Sequence, residues 1–134
     1  MSNELLNFIR KFLKENLNSK KFIYHGTSKG ACLGIQREGF IRPHNTGEKF
    51  SSVSFTEKVE YAQYYANAKG GTDKSIILRT PLTDKFILSD RIQNNKGYEY
   101  ITFEPVSIKD LEVQTKYGWK PLLEWDVIFN EPIL

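Results

Sequence analysis

One histidine and one glutamate stand out as residues that could do chemistry. His25 ends an apolar segment and precedes Gly26, whose missing Cβ lets a ligand approach the backbone closely. An imidazole in such a position can donate or accept a hydrogen bond near neutral pH. Glu99 lies between Tyr98 and Tyr100 in a segment otherwise typical of burial, where a carboxylate must be solvated by a cleft or paired. Each has a plain alternative: a structural histidine bonded to neighbouring backbone, or an outward-facing strand glutamate.

Other residue patterns give weaker signals. Tyr61 and Tyr65 are four residues apart on one helix face, where a ring could stack on a flat heterocycle or belong to the core. Gly70-Gly71 lacks the glycine spacing and the following lysine of a phosphate loop, and indicates a turn. His44 lies in a polar loop and is expected to be exposed. No HExxH or paired Cys-His spacing occurs, so we expect no metal site.

Composition predicts one folded domain. The 134 residues, 40% hydrophobic and 13% aromatic, fit a single unit over 1–134, with an N-terminal helix within 1–20 and the core sequence motifs within 21–113. The net charge of +3 is small, and the basic residues are interleaved with acidic ones, which does not indicate a nucleic-acid binder. Cys32 is the single cysteine, which suits a reducing cytosol. Charged residues interrupt the first apolar segment, so we expect a cytoplasmic protein without signal peptide or membrane span.

The first half of the chain carries clear helix signals. Apolar residues at helical spacing predict an amphipathic helix over about 3–17, with Ser2 or Asn3 as a cap, packed on the domain's own core rather than on a membrane or partner. A strand over 21–25 and a turn over 26–28 should follow. Ser28 is then expected to cap a helix through Glu38 that ends at Gly39.

The remaining elements mix strands and helices irregularly, which predicts an α+β fold. Thr56 or Glu57 should open a second helix, which ends at residues 69–72. A polar loop over 44–52 is expected before that helix. Strands are predicted over residues 53–56, 75–79, 85–88, 98–103, 107–113 and 125–129.

Three short motifs occur in a fixed order: Tyr24-His25-Gly26-Thr27, then Ser54-Phe55-Thr56 before a helix with Ala62 and Tyr65, and finally Glu99-Tyr100-Ile101. Together they resemble the His-Tyr-Glu branch of the ADP-ribosyltransferase superfamily, which includes diphtheria toxin and the poly-ADP-ribose polymerases. The similarity runs over about 22–113. It implies a split antiparallel β-sheet with short helices, with NAD as co-substrate and no metal.

The resemblance also implies roles for individual residues. His25 would donate a hydrogen bond to a ribose hydroxyl of the adenosine half of NAD, and the backbone of Gly26, in the same motif as Thr27, would hold the nicotinamide carboxamide. Tyr65 would stack on the nicotinamide. Glu99 would bond the nicotinamide-ribose 2′-hydroxyl and stabilise the positive charge that develops as the glycosidic bond breaks.

The chain departs from the branch's pattern at two positions. Ser54 stands where a second tyrosine is usual, so the pocket is more open, or Tyr61 or Phe50 supplies the second ring. Gly97 stands where the arginine-specific branch has a second acid, which makes arginine a less expected acceptor. Arg42 could reach the NAD diphosphate, or it could simply be exposed.

The expected activity is mono-ADP-ribosylation: cleavage of NAD and transfer of ADP-ribose to a protein, a nucleic acid or another acceptor. Small size and family analogy favour a bacterial or phage effector or toxin, whose partners would be a target protein or an antitoxin. Two alternatives stay open. Water could take the acceptor's place, giving an NAD glycohydrolase, or the domain could bind NAD or a partner without turnover, as Ser54 suggests.

Overall fold

The structure, a computed structural model, describes residues 2–9, 21–43, 51–71, 74–92 and 98–133. Its helices are α1 over 3–9, α2 over Lys29–Glu38 and α3 over Val59–Gly70. Its longer strands are β1 Phe22–Ser28, β3 Val53–Thr56, β4 Ser75–Pro81, β5 Ile87–Ile92, β6 Tyr98–Thr102, β8 Glu112–Thr115 and β9 Gly118–Pro121. Two-residue strands are β2 Phe40–Ile41, β7 Val106–Ser107, β10 Trp125–Asp126 and β11 Glu131–Pro132. Within these ranges, no helix is long and apolar enough to cross a membrane.

The seven longer strands form one antiparallel sheet in the order β5-β6-β3-β1-β4-β8-β9. This confirms the predicted α+β class. β1 pairs with β4 along its whole length, from Phe22↔Pro81 to Ser28↔Ser75. On its other side, the described residues of β1 share one registered pair with β3, Tyr24↔Thr56. The sheet therefore opens between β1 and β3 beyond Tyr24.

The two faces of the sheet are covered differently. Neighbouring strand residues point to opposite faces, and on β4 Leu78 enters the larger core while Ile77 lies under α3. The small cluster under α3 also contains Ala62 and Ala66, both fully buried. Because alanine side chains are short, α3 lies close to the sheet. The larger core contains Ile23, Cys32, Ile41, Val53, Phe55, Leu78, Phe86, Val106, Ile108, Leu111, Val113, Leu122, Trp125 and Val127.

Gly26 makes the close approach of α3 possible. A Cβ built on Gly26 would lie 1.9 Å from the carbonyl oxygen of Ala62 and 2.9 Å from the backbone nitrogen of Ala66. The predicted turn over 26–28 is wrong, because these residues continue β1 and pair with Ile77, Ile76 and Ser75 of β4. The glycine lets a helix, rather than only a ligand, approach the backbone.

The observed ends of α2 and several strands agree with the predictions from the sequence. The Ser28 hydroxyl accepts a hydrogen bond from the Ala31 amide at 3.2 Å, and Gly39 ends α2 with a φ of 90°. The predicted strands over 53–56 and 98–103 are confirmed as β3 and β6. The strand predicted over 75–79 is confirmed and extends to Pro81.

Other boundaries differ because short side chains bond the nearby backbone. The Thr56 hydroxyl accepts from the Lys58 amide at 3.3 Å, so α3 begins at Val59 rather than at Thr56 or Glu57. Ser107 accepts from Lys109 at 3.2 Å and starts a 3-10 turn, which divides the strand predicted over 107–113.

The remaining differences are at the later strands and the N-terminus. The Asp126 carboxylate accepts from the Ile128 and Phe129 amides, which ends β10 after two residues instead of continuing to 129. The strand predicted over 85–88 lies at Ile87–Ile92. In α1, Leu5 and Ile9 of the predicted apolar face are 49% and 36% exposed, and the packing of this helix on the core stays a prediction. Residues 10–17, over which the helix was predicted to continue, and residues 44–50 of the predicted loop lie outside the described residues.

Candidate functional site

A cleft lies where β1 and β3 separate. Tyr24, Thr56 and Glu99 form a row across β1, β3 and β6, since Tyr24 pairs with Thr56 and Thr56 with Glu99. Beside this row is a cavity of about 220 Å³, which we call the sheet lobe. It is lined by Tyr24, His25, Gly26, Ser54, Phe55, Thr56, Tyr65, Lys69 and Glu99.

A second cavity of about 280 Å³, the helix lobe, lies between β1 and α2. Its walls include Thr27, which is buried, and Arg42, together with Ala31, Gly34, Ile35, Glu38, Phe40 and Ile41. His25 and Lys69 line both lobes, so the two cavities lie next to each other. Each lobe is smaller than the roughly 300–1,000 Å³ of a typical small-molecule site, but together they fall within that range.

His25 spans the opening between the two strands. Its Nδ1 lies 2.8 Å from the main-chain oxygen of Ser54, and its ring centroid is 5.3 Å from that of Phe55. A carbonyl oxygen only accepts hydrogen bonds, so Nδ1 carries the proton. In the neutral ring Nε2 is then an acceptor, and in the protonated ring a second donor. The histidine is thus both bonded to neighbouring backbone and part of the cleft.

Glu99 faces the cleft from β6. It is 9% exposed, whereas Tyr98 beside it is 55% exposed, as the alternation of strand residues requires. Its strand position opposite Thr56 sets it on the far side of the sheet lobe from β1. A carboxylate in this place is partly withdrawn from water, which strengthens its interaction with any positive charge that develops beside it.

The third wall of the sheet lobe comes from α3. Tyr65 and Lys69 are four residues apart, so both project from the same face of the helix. The Tyr65 ring is in edge-on contact with Tyr64, at a centroid distance of 5.7 Å. Sequence reasoning treated Lys69 only as part of a helix end and missed it, although its spacing from Tyr65 was a usable signal.

The other expected site residues are distributed unevenly. Ser54 lines the sheet lobe, and no second tyrosine occupies its place on β3. Tyr61 lines neither lobe. Phe50, the other ring considered as a substitute, lies outside the described residues.

Arg42 reaches the helix lobe but is already engaged. Its Nε donates to the Glu38 carboxylate at 2.6 Å, and its guanidinium lies 5.4 Å from the Phe40 ring centroid. The ion pair offsets its charge. Among the described residues, no group of three or more histidine, cysteine or acidic side chains could hold a metal ion.

Comparisons of the chain with known protein families, with curated proteins and with solved structures give no match.

Proposed function

We propose that this protein is a mono-ADP-ribosyltransferase that breaks the bond between nicotinamide and ribose in NAD and transfers ADP-ribose to an acceptor. The observation that carries the proposal is that His25, Tyr65 and Glu99, which are far apart in the chain, line one lobe. These are the three residues on which the motif resemblance depends. The opening of the antiparallel sheet beyond Tyr24 also agrees with a split-sheet fold.

Glu99 supplies the electrostatic part of the reaction. As the bond from ribose C1 to the nicotinamide nitrogen breaks, its electron pair leaves with nicotinamide and positive charge develops on the sugar. A carboxylate held beside that sugar stabilises the charge, and its partial burial makes the interaction stronger than in water. The acceptor nucleophile then forms a bond to C1 and loses its proton.

His25 and Gly26 provide binding. Because Nδ1 of His25 donates to the Ser54 carbonyl, the neutral ring accepts a hydrogen bond from a ribose hydroxyl at Nε2; donation there requires the protonated ring. The edge of β1 that faces the cleft beyond Tyr24 is not paired with β3 in the described residues. Backbone groups of Gly26 on that edge are suited to an amide ligand such as the nicotinamide carboxamide.

Tyr65 provides one aromatic surface for the nicotinamide ring. Ser54 cannot provide the opposite one. Thr27 and Arg42 line the helix lobe, where the adenosine half of NAD would lie.

The test is nicotinamide release from labelled NAD by the wild-type protein and by Glu99→Gln. Loss of one transition-state electrostatic contact should lower the rate roughly 10²- to 10³-fold while thermal stability stays nearly the same. Glu104→Gln is the matched control, because Glu104 is an exposed acid shortly after β6 that lines neither lobe. A normal rate in Glu99→Gln would refute the mechanism.

The same labelled NAD, incubated with a cell lysate with and without nuclease, identifies the acceptor. Label in protein or in nucleic acid supports transfer. Label only in free ADP-ribose indicates a glycohydrolase instead. Binding of NAD without release of nicotinamide by the wild-type protein would indicate a domain that binds without turnover.

A further inference from the structure

Lys69 lies at the junction of the two lobes. Among the described residues, it shares only with His25 a place in the walls of both cavities. It is exposed and lies one helical turn after Tyr65, so its long side chain can extend along the cleft from the wall that Tyr65 forms. A ligand that occupied both lobes would pass this ammonium group.

The side chains of Lys69 and Arg42, which both line the helix lobe, differ in their partners. Arg42 is paired with Glu38 and stacked on Phe40. The Lys69 side chain has no ion pair or hydrogen bond with another described residue. Its position in the last turn of α3 also complements the helix dipole, which is a structural role. That role needs a lysine at the helix end but not one at the junction of two cavities.

NAD has its negative charge in the middle. Its diphosphate joins a nicotinamide riboside, suited to the sheet lobe with Tyr65 and Glu99, to an adenosine, suited to the helix lobe. The Glu99 carboxylate in the sheet lobe repels a phosphate, and a cation beside the diphosphate offsets that repulsion. We infer that Lys69 binds the diphosphate and thereby selects diphosphate-bridged nucleotides over nucleosides that lack phosphate; this rests on the proposed function.

The experiment compares affinities by calorimetry for NAD, ADP-ribose, inorganic diphosphate and adenosine at low and high salt. In Lys69→Gln, the affinity for the first three should fall roughly three- to tenfold at low salt, and the difference should shrink at high salt because the charge is exposed. Adenosine binding should not change. Lys69→Arg should retain most of the affinity, and Lys69→Glu should lose more than Lys69→Gln.

Lys74→Gln is the matched control, since Lys74 is an exposed lysine shortly after α3 that lines neither lobe. Thermal melting of each variant separates a loss of helix stability from a loss of binding. Unchanged NAD and ADP-ribose affinity in Lys69→Gln would overturn the inference, as would an equal loss in Lys74→Gln.

The outcomes separate this inference from the proposed function. If Lys69→Gln binds NAD normally but Glu99→Gln still loses nicotinamide release, the inference fails and the function stands. If the wild-type protein releases no nicotinamide but Lys69→Gln weakens its binding of ADP-ribose and diphosphate, the function fails and the inference stands. If the wild-type protein binds none of the phosphate-bearing ligands, both fail.

Discussion

Replacing Gly26 by alanine should disrupt the fold and the cleft together. The added Cβ would lie 1.9 Å from the Ala62 carbonyl oxygen and 2.9 Å from the Ala66 nitrogen, whereas a Cβ atom essentially never lies within 3.0 Å of such an atom. Both neighbours are helix backbone and cannot rotate away, so α3 must move by roughly 1 Å from β1. Such overpacking costs about 1–3 kcal/mol, and here we expect about 3 kcal/mol because rigid backbone must shift.

This free-energy change is large compared with the roughly 5–15 kcal/mol stability of a typical domain, and it should lower Tm by about 10 °C in a chain of this length. The substitution should reduce activity more than it reduces stability. α3 carries Tyr65 and Lys69, while His25 is on β1, so the shift separates groups that must act on one ligand. A displacement of about 1 Å can cost ~10²-fold in rate, which we expect for nicotinamide release measured well below Tm.

Gly30→Ala is the matched control for this substitution. Gly30 is exposed in α2, and a Cβ built there meets no atom within 4 Å. Because alanine favours a helix over glycine by up to about 1 kcal/mol, Tm should stay the same or rise, with normal activity. If differential scanning calorimetry found Gly26→Ala as stable as Gly30→Ala, the assigned role of Gly26 in seating α3 would be wrong.

Three further outcomes are expected. His25→Ala removes one hydrogen bond to NAD, worth about 1 kcal/mol, and should raise KM roughly fivefold; a wild-type KM would count against its role. Tyr65→Phe should be mild and Tyr65→Ala severe in steady-state kinetics if stacking matters, and equal effects would indicate a role for the hydroxyl. Burial raises the pKa of the Cys32 thiol to about 12, so at pH 8 a disulfide reagent should label it only as the protein unfolds; rapid labelling of the native protein would contradict its burial.

Elements whose bounds depend on adjacent residues were predictable. The cap at Ser28 and the ending at Gly39 use hydrogen bonds and backbone angles within a few residues, so the pattern was sufficient to place α2. β9 was missed because its identity depends on a hairpin with β8, in which Gly118 has a φ of 95°. The four residues of β9 taken alone do not indicate which strand they will pair with, so their strand structure could not be predicted.

The roles of Gly26 and Lys69 could not be predicted from neighbouring residues, because they depend on how distant elements pack. Glycine occurs both in turns and at close contacts, and only the position of α3 over β1 distinguishes these uses. Lys69 next to Gly70 is typical of a helix end, and α3 does end there. Its place between two cavities depends on how α3 lies against β1 and on where α2 leaves the sheet.

The sequence by itself determined which side chains could do chemistry and in which order they occur along the chain. An imidazole, a phenol ring or a carboxylate has its chemical properties wherever the fold places it. His25 and Glu99 stood out on that basis, and the motif resemblance then added Tyr65. The tertiary structure decided that β3 lies between β1 and β6. It also decided that β3 separates from β1 beyond Tyr24, and this separation opens the cleft. Residue periodicity specifies which face of a strand is buried but not which strand becomes its neighbour, so this arrangement could only be seen in the fold.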